Sequence, residues 1–177
     1  AINAHLHPYP ISIVQAEIVE DDFHARFEAK NKLYVYRIIT RTAQLTIDKG
    51  LAWHLHQKLD HEAMHKAAQL LLGEHDFSSF RAGDCQAKSP IRSIDRLDVV
   101  CTDYDAFGGK EITINVEGQA FLHHMVRNIV GSLVLVGKGK WAVEDMSKAL
   151  AARERKAAGP TAAPQGLYLM RIDYPNT

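Results

Sequence analysis

The stretch Ile112-Thr-Ile-Asn-Val-Glu117, followed closely by Phe121-Leu-His-His-Met-Val-Arg-Asn-Ile-Val-Gly131, decides the fold class. In the first part Ile112, Ile114 and Val116 alternate with Thr113, Asn115 and Glu117. That is the two-residue period of a strand with one face buried. In the second, the apolar run from Phe121 to Val136 reads as a buried helix. It is too short to cross a bilayer, which takes about 20 residues. His123 and His124 lie near its start, and Arg127 and Asn128 interrupt it. A one-faced strand needs an apolar cover, and the helix beside it can supply one.

Working outward, Gly108-Gly109 turns the chain into that strand, and Ser93 to Cys101 reads as its neighbour. Upstream, Ile11 to Val19 is apolar and β-branched and predicts a strand ending at the Asp21-Asp22 turn. Lys32 to Ile39 predicts another. Asp60 stands where a helix N-cap belongs, with Glu62 in the first turn. Met64, Ala67, Ala68, Leu71 and Leu72 then keep the spacing of a one-sided helix, with Gly73 as its C′ residue. Glu144 to Lys156 predicts a polar helix, Gly159-Pro160 and Pro164 a loop, and Leu167 to Tyr174 a closing strand. No regular βαβ rhythm runs through these elements. The expectation is a single α+β domain over residues 1–177, with a largely antiparallel sheet flanked by helices.

The composition is that of an ordinary globular chain, 46% hydrophobic and 24% charged over 177 residues. Lys plus Arg and Asp plus Glu are each 21, so any nucleic-acid surface must be a local patch. Two cysteines, Cys85 and Cys101, are too few for a disulfide scaffold and suit a reducing cytosol. No basic region followed by an apolar run opens the chain, so no signal peptide or membrane attachment is expected. The abrupt start at Ala1-Ile-Asn-Ala-His-Leu6 suggests a chain cut from a larger protein. Ten histidines raise a metal question, but His54 and His56 are two apart and His123 and His124 adjacent. Neither spacing puts two ligands on one helical face, and no metal site is expected.

Chemistry concentrates in three segments. Arg127 lies on the apolar helix, and no acid occurs between Glu117 and Glu144 to pair with it along that helix. Either it reaches water at the helix edge, or a carboxylate from elsewhere pairs with it and is kept ionised by it. Lys30-Asn-Lys-Leu-Tyr-Val-Tyr-Arg37, extended by Arg41, is basic and aromatic, with Tyr34 and Tyr36 on one strand face. Such a strand suits RNA, but the pattern alone favours the commoner case, an exposed edge with tyrosines bordering the core. In His75-Asp-Phe-Ser-Ser-Phe-Arg81, Phe77 and Phe80 pin a turn, while Arg81, followed by Lys88, Arg92 and Arg96, either reaches a phosphate or is simply solvated.

These segments together resemble the TruA family of tRNA pseudouridine synthases. The likeness runs through Asp21-Asp-Phe-His-Ala-Arg-Phe27, Lys32-Leu-Tyr-Val-Tyr-Arg37 and Gly73-Glu-His-Asp-Phe-Ser-Ser-Phe-Arg81. It continues through Gln119-Ala-Phe-Leu-His-His-Met-Val-Arg-Asn-Ile-Val-Gly131 to Ala158-Gly-Pro-Thr-Ala-Ala-Pro-Gln-Gly-Leu-Tyr-Leu169. It implies a cytosolic isomerase that converts uridine to pseudouridine in the tRNA anticodon arm. It also implies no cofactor, a pseudouridine synthase-like half-fold and a homodimer sharing the tRNA. The family's nucleophilic Asp sits in a Gly-Arg-Thr-Asp-Ala-Gly-Val-His motif, which this sequence does not contain. The chain is therefore expected to be a C-terminal catalytic portion, inactive alone, with the nucleophile upstream. Arg127 matches the basic residue placed against that Asp, and Tyr34 the tyrosine that packs on the target base. Lys32, Arg81 and His124 are the remaining substrate-binding candidates. The alternative is a non-catalytic RNA-binding or dimerisation module.

Overall fold

The computed structural model describes residues 1–175 as a mixed α+β fold, a multi-strand sheet covered by helices. The elements are α1 (Ile2–Leu6), β1 (Asn31–Thr40), β2 (Trp53–Leu55), α2 (His61–Gln69), β3 (Gly73–Asp76), β4 (Ile91–Ile94), β5 (Arg96–Asp103), β6 (Lys110–Gly118), α3 (Met125–Gly137), α4 (Asp145–Ala152) and β7 (Leu167–Asp173). The main sheet runs β2-β1-β6-β5, and β7 also pairs with β1. β1 is thus the centre. One edge carries β6 antiparallel along its length. The other edge is divided between β7, antiparallel beside Asn31 to Tyr36, and β2, parallel beside Ile38 to Thr40. A small hairpin of β3 and β4 stands apart.

The alternation read from β6 holds: Ile112, Ile114 and Val116 are buried and the residues between them are half-buried. They meet Tyr36 and Ile38 of β1, Leu97 and Val99 of β5, and one face of α2 and α3 in a single core. Burying an Ile, Val or Leu side chain is worth about 1.5–3 kcal/mol, so this layer supplies most of what fixes β1. Asp60 caps α2, its carboxylate accepting from Ala63 N at 2.9 Å.

Several boundaries differ from the sequence reading. Ile11 to Val19 forms no strand, because the segment has no ladder partner and its side chains face water, Val14 at 97% and Ile18 at 101% exposure. α2 ends at Gln69, so Gly73 opens β3 rather than closing the helix, although its φ of +89° is the left-handed value that favours glycine. The strand expected over Ser93 to Cys101 is two strands, parted at Asp95, whose N–H donates to Glu117 O at 2.8 Å. The polar helix is shorter, stopped by Arg153 at φ 52°. The apolar helix begins at Met125 because His124 is left-handed, at φ 58°.

Candidate active site

β1 places Lys32, Tyr34 and Tyr36 on one face, as the strand period requires. Tyr36 is fully buried and its hydroxyl donates to Ala163 O at 2.5 Å. Tyr34 is half-buried, its backbone registered between Val116 of β6 and Leu169 of β7. Its ring meets Phe121 edge-to-face, with centroids 5.2 Å apart and planes at 87°. Burial pushes the Tyr34 phenol above its ordinary range, so it stays a neutral hydroxyl. Two clefts flank this pair. The smaller is lined by Tyr34, Phe121, His124, Arg127 and Leu167. The larger is lined by Arg26, Lys32, Tyr34, Arg92 and Phe121.

Arg127 is half-buried in the first turn of α3. Its Nε donates to Ala162 O at 2.7 Å and its Nη1 lies 3.2 Å from His124 Nε2. Among the described residues no carboxylate forms an ion pair with it. Of the two readings offered by the sequence, free extension into water is not the arrangement found. The guanidinium is fixed at two points, and its remaining donors are open beside the cleft.

The carbonyl that holds Arg127 belongs to a loop clamped onto α3. Asn128, fully buried, donates to Phe80 O at 2.8 Å. Its Oδ1 accepts from Thr161 Oγ1 at 2.7 Å and from Arg155 Nη2 at 3.1 Å. Ser132 Oγ donates to Asn128 O and accepts from Gly159 N, both at 2.8 Å. Arg155 Nη1 donates to Gly159 O at 2.9 Å. Ala162 N returns a bond to Arg127 O at 3.1 Å. The polar groups of a buried helix are thereby satisfied by the loop that orients its arginine.

His124 links strand and helix. An arginine has no acceptor, so the contact with Nη1 requires Nε2 to accept and the imidazole to be neutral. Burial first, then the positive neighbours His123 and Arg127, hold its pKa below the usual imidazole range. The His123 ring packs against it at a 37° tilt, centroids 4.0 Å apart, and places Nδ1 3.0 Å from Asp84 Oδ1. That contact holds the Asp84 carboxyl below the ordinary carboxylate range.

The other candidates divide. Lys32 lines the larger cleft and donates from Nζ to Gln119 O at 2.9 Å. Arg81 lines neither cleft, and its Nη2 donates to Cys85 O at 2.5 Å. Arg37 pairs with Glu111 at 2.6 Å and Asp48 at 3.2 Å, and Arg41 with Asp105 at 3.3 Å. The basic stripe of β1 therefore reaches the cleft only through Lys32. Among the described residues no group of three metal-ligating side chains gathers. Sequence reasoning missed Phe121 as the ring partner of Tyr34, and the clamp of Asn128, Ser132 and Arg155. Asn128 and Ser132, polar at i and i+4 in an apolar helix, were the available signal for the clamp.

Comparison with known proteins shows the family of the chain. A family model described as tRNA pseudouridine synthase matches residues 67–175. The tRNA pseudouridine synthase A of Nitrobacter winogradskyi is 52% identical over 173 residues, covering 98% of this chain and 66% of that protein. That of Rhodopseudomonas palustris (strain BisA53) is 52% identical over 174 residues, 98% of this chain and 68% of its own length. That of Erythrobacter litoralis is 51% identical over 174 residues with the same coverage. The chain spans about two thirds of the length of these relatives.

Proposed function

We propose that this chain, which belongs to the tRNA pseudouridine synthase family, forms the wall of an active site that isomerises uridine to pseudouridine in the tRNA anticodon arm. A stem uridine is unreachable until it is flipped out, and Tyr34 with Phe121 offers the ring surface on which it would rest. A carboxylate nucleophile attacks C1′ and the N1–C1′ bond breaks; the uracil turns, C5 bonds to C1′ as the carboxylate leaves, C5 then loses its proton and N1 takes one up. Arg127 keeps that carboxylate ionised and oriented. Among the described residues no Asp or Glu lines either cleft. The nucleophile comes from a segment outside these 177 residues, and the chain alone is inactive. The same reading puts the enzyme in the cytosol as a homodimer sharing its tRNA.

The observation that carries the proposal is Arg127, held at the mouth of a cleft beside Tyr34 with no carboxylate partner among the described residues. The test joins this chain to the N-terminal remainder of the Nitrobacter winogradskyi relative. Tritium release from C5 of labelled uridine in unmodified tRNA is then compared with the chain alone. Release by the joined protein only is expected. Release by the chain alone would show that the nucleophile lies within it. Tight tRNA binding without release by either would favour a non-catalytic RNA-binding module.

A further inference from the structure

We propose that His124 is a positioning residue for Arg127: its neutral imidazole accepts from Nη1 at Nε2, and the guanidinium keeps its aim only while that nitrogen is unprotonated. The catalytic consequence rests on the function proposed above, but the coupling itself is a property of this chain.

Two fixed points define the guanidinium. Ala162 O holds Nε at 2.7 Å, and His124 Nε2 meets Nη1 at 3.2 Å. With the first bond alone, the group can still pivot about the Nε–H···O line. The second sets its orientation and leaves Nη2 together with the other N–H of Nη1 for a planar, bidentate partner. His124 reaches this place through a left-handed backbone at φ 58°, which turns the chain from the strand side into α3. The ring is further held by a tilted contact with the His123 ring, centroids 4.0 Å apart.

Protonation would put two donors face to face across that 3.2 Å gap. The charged and titratable groups around His124 come from each packed element: Arg127 from α3, His123 from the preceding turn, Asp84 from the loop after Phe80, and Arg155 from the turn after α4. Only Asp84 favours a charged imidazole, and its carboxylate is already engaged by His123 Nδ1 at 3.0 Å. Burial and the remaining neighbours all oppose the proton. The device therefore stays neutral at neutral pH and fails only in acid.

Nitrogen NMR of the full chain tests this without tRNA. His124 is expected to show an unprotonated Nε2 and a protonated Nδ1, and to titrate below the ordinary imidazole midpoint. Arg127 Nε–H exchange with solvent, corrected for its intrinsic pH dependence, should quicken about fivefold as pH falls through that titration, the factor expected for one ordinary hydrogen bond. His124→Gln, whose amide oxygen can accept, should keep Arg127 ordered and remove the acid step. His124→Phe should leave the exchange fast at every pH. A protonated Nε2 at neutral pH, or Arg127 signals indifferent to the His124 titration, would overturn the proposal. The titration of the parent chain needs no variant, and none of these measurements needs catalysis, so their failure is separable from failure of the proposed function. In the joined enzyme, the acid limb of the rate profile should move to lower pH in His124→Gln. An unchanged limb there would count against a role in turnover.

Discussion

The backbone of Gly131 passes so close to Pro160 that a Cβ added to the glycine would meet Pro160 O at 1.7 Å. No side chain fits there, and the neighbour is backbone, which cannot swing aside. Gly131→Ala should therefore destabilise the chain despite alanine's intrinsic helix preference of about 1 kcal/mol, because overpacking of this kind costs about 1–3 kcal/mol or more. Urea unfolding of the two proteins checks this. The variant should also loosen Ala162, the anchor of Arg127, visible as faster exchange of the Arg127 Nε–H.

Asn128 gives the same junction its polar half. Asn128→Ala removes its bonds to Phe80 O, Thr161 Oγ1 and Arg155 Nη2 and leaves Phe80 O without its side-chain donor. The expected loss is about 1–3 kcal/mol for each partner left buried and unpaired. Thermal unfolding should show a fall in Tm of about 2–4 °C per kcal/mol. A Tm equal to the parent's would mean that water replaces the amide at no cost.

Tyr34 and Phe121 act as one surface. In the joined enzyme, Tyr34→Phe should bind tRNA nearly as the parent does, since the ring and its edge contact persist. Tyr34→Ala should lose about 1–3 kcal/mol of base stacking. Affinities measured at one fixed salt concentration decide the matter, and equal values for the parent and Tyr34→Ala would remove the ring from the base.

On the proposed function, substitution of Arg127 should separate binding from chemistry. Arg127→Ala in the joined enzyme should abolish turnover while tRNA affinity changes little. Arg127→Lys should restore only part of the rate, because a lysine ammonium lacks the planar fork that spans Ala162 O, His124 and a carboxylate. Single-turnover rates beside affinities report this. A normal rate in Arg127→Ala, or a loss explained wholly by weaker binding, would take the residue out of the site.

What could be read from the sequence follows the range of the forces involved. The period of β6, the cap at Asp60 and the apolar run of α3 are local signals, and each element is where its pattern put it, within a few residues. Ile11 to Val19 misled because strand composition is only a preference until a partner strand exists, and here none does. His124 shortened α3 because a left-handed residue leaves no mark in a hydrophobic pattern. In the candidate site, Tyr34 and Arg127 stood out as an aromatic and a charge in unusual surroundings. Phe121, Arg155 and the carbonyls of Ala162 and Ala163 did not, since their roles depend on contacts between distant stretches. The basic stripe of β1 was misleading in part: Arg37 and Arg41 find acids that only the sheet brings near.

The pairing of β1 with β7 has a consequence for the order in which the protein is made. Tyr34 lies opposite Leu169, Tyr36 opposite Leu167, and the Tyr36 hydroxyl bonds to Ala163. A ribosome that has released β1 must still synthesise most of the chain before these partners emerge. Until then the outer edge of β1 beside Tyr34 is an open ladder, and closing so long a loop is among the slower steps of folding. The wall of the cleft beside Tyr34 is therefore completed only once Leu167 to Leu169 have emerged, and a nascent chain stalled before Leu167 holds the aromatic ring of the cleft without the strand that fixes it.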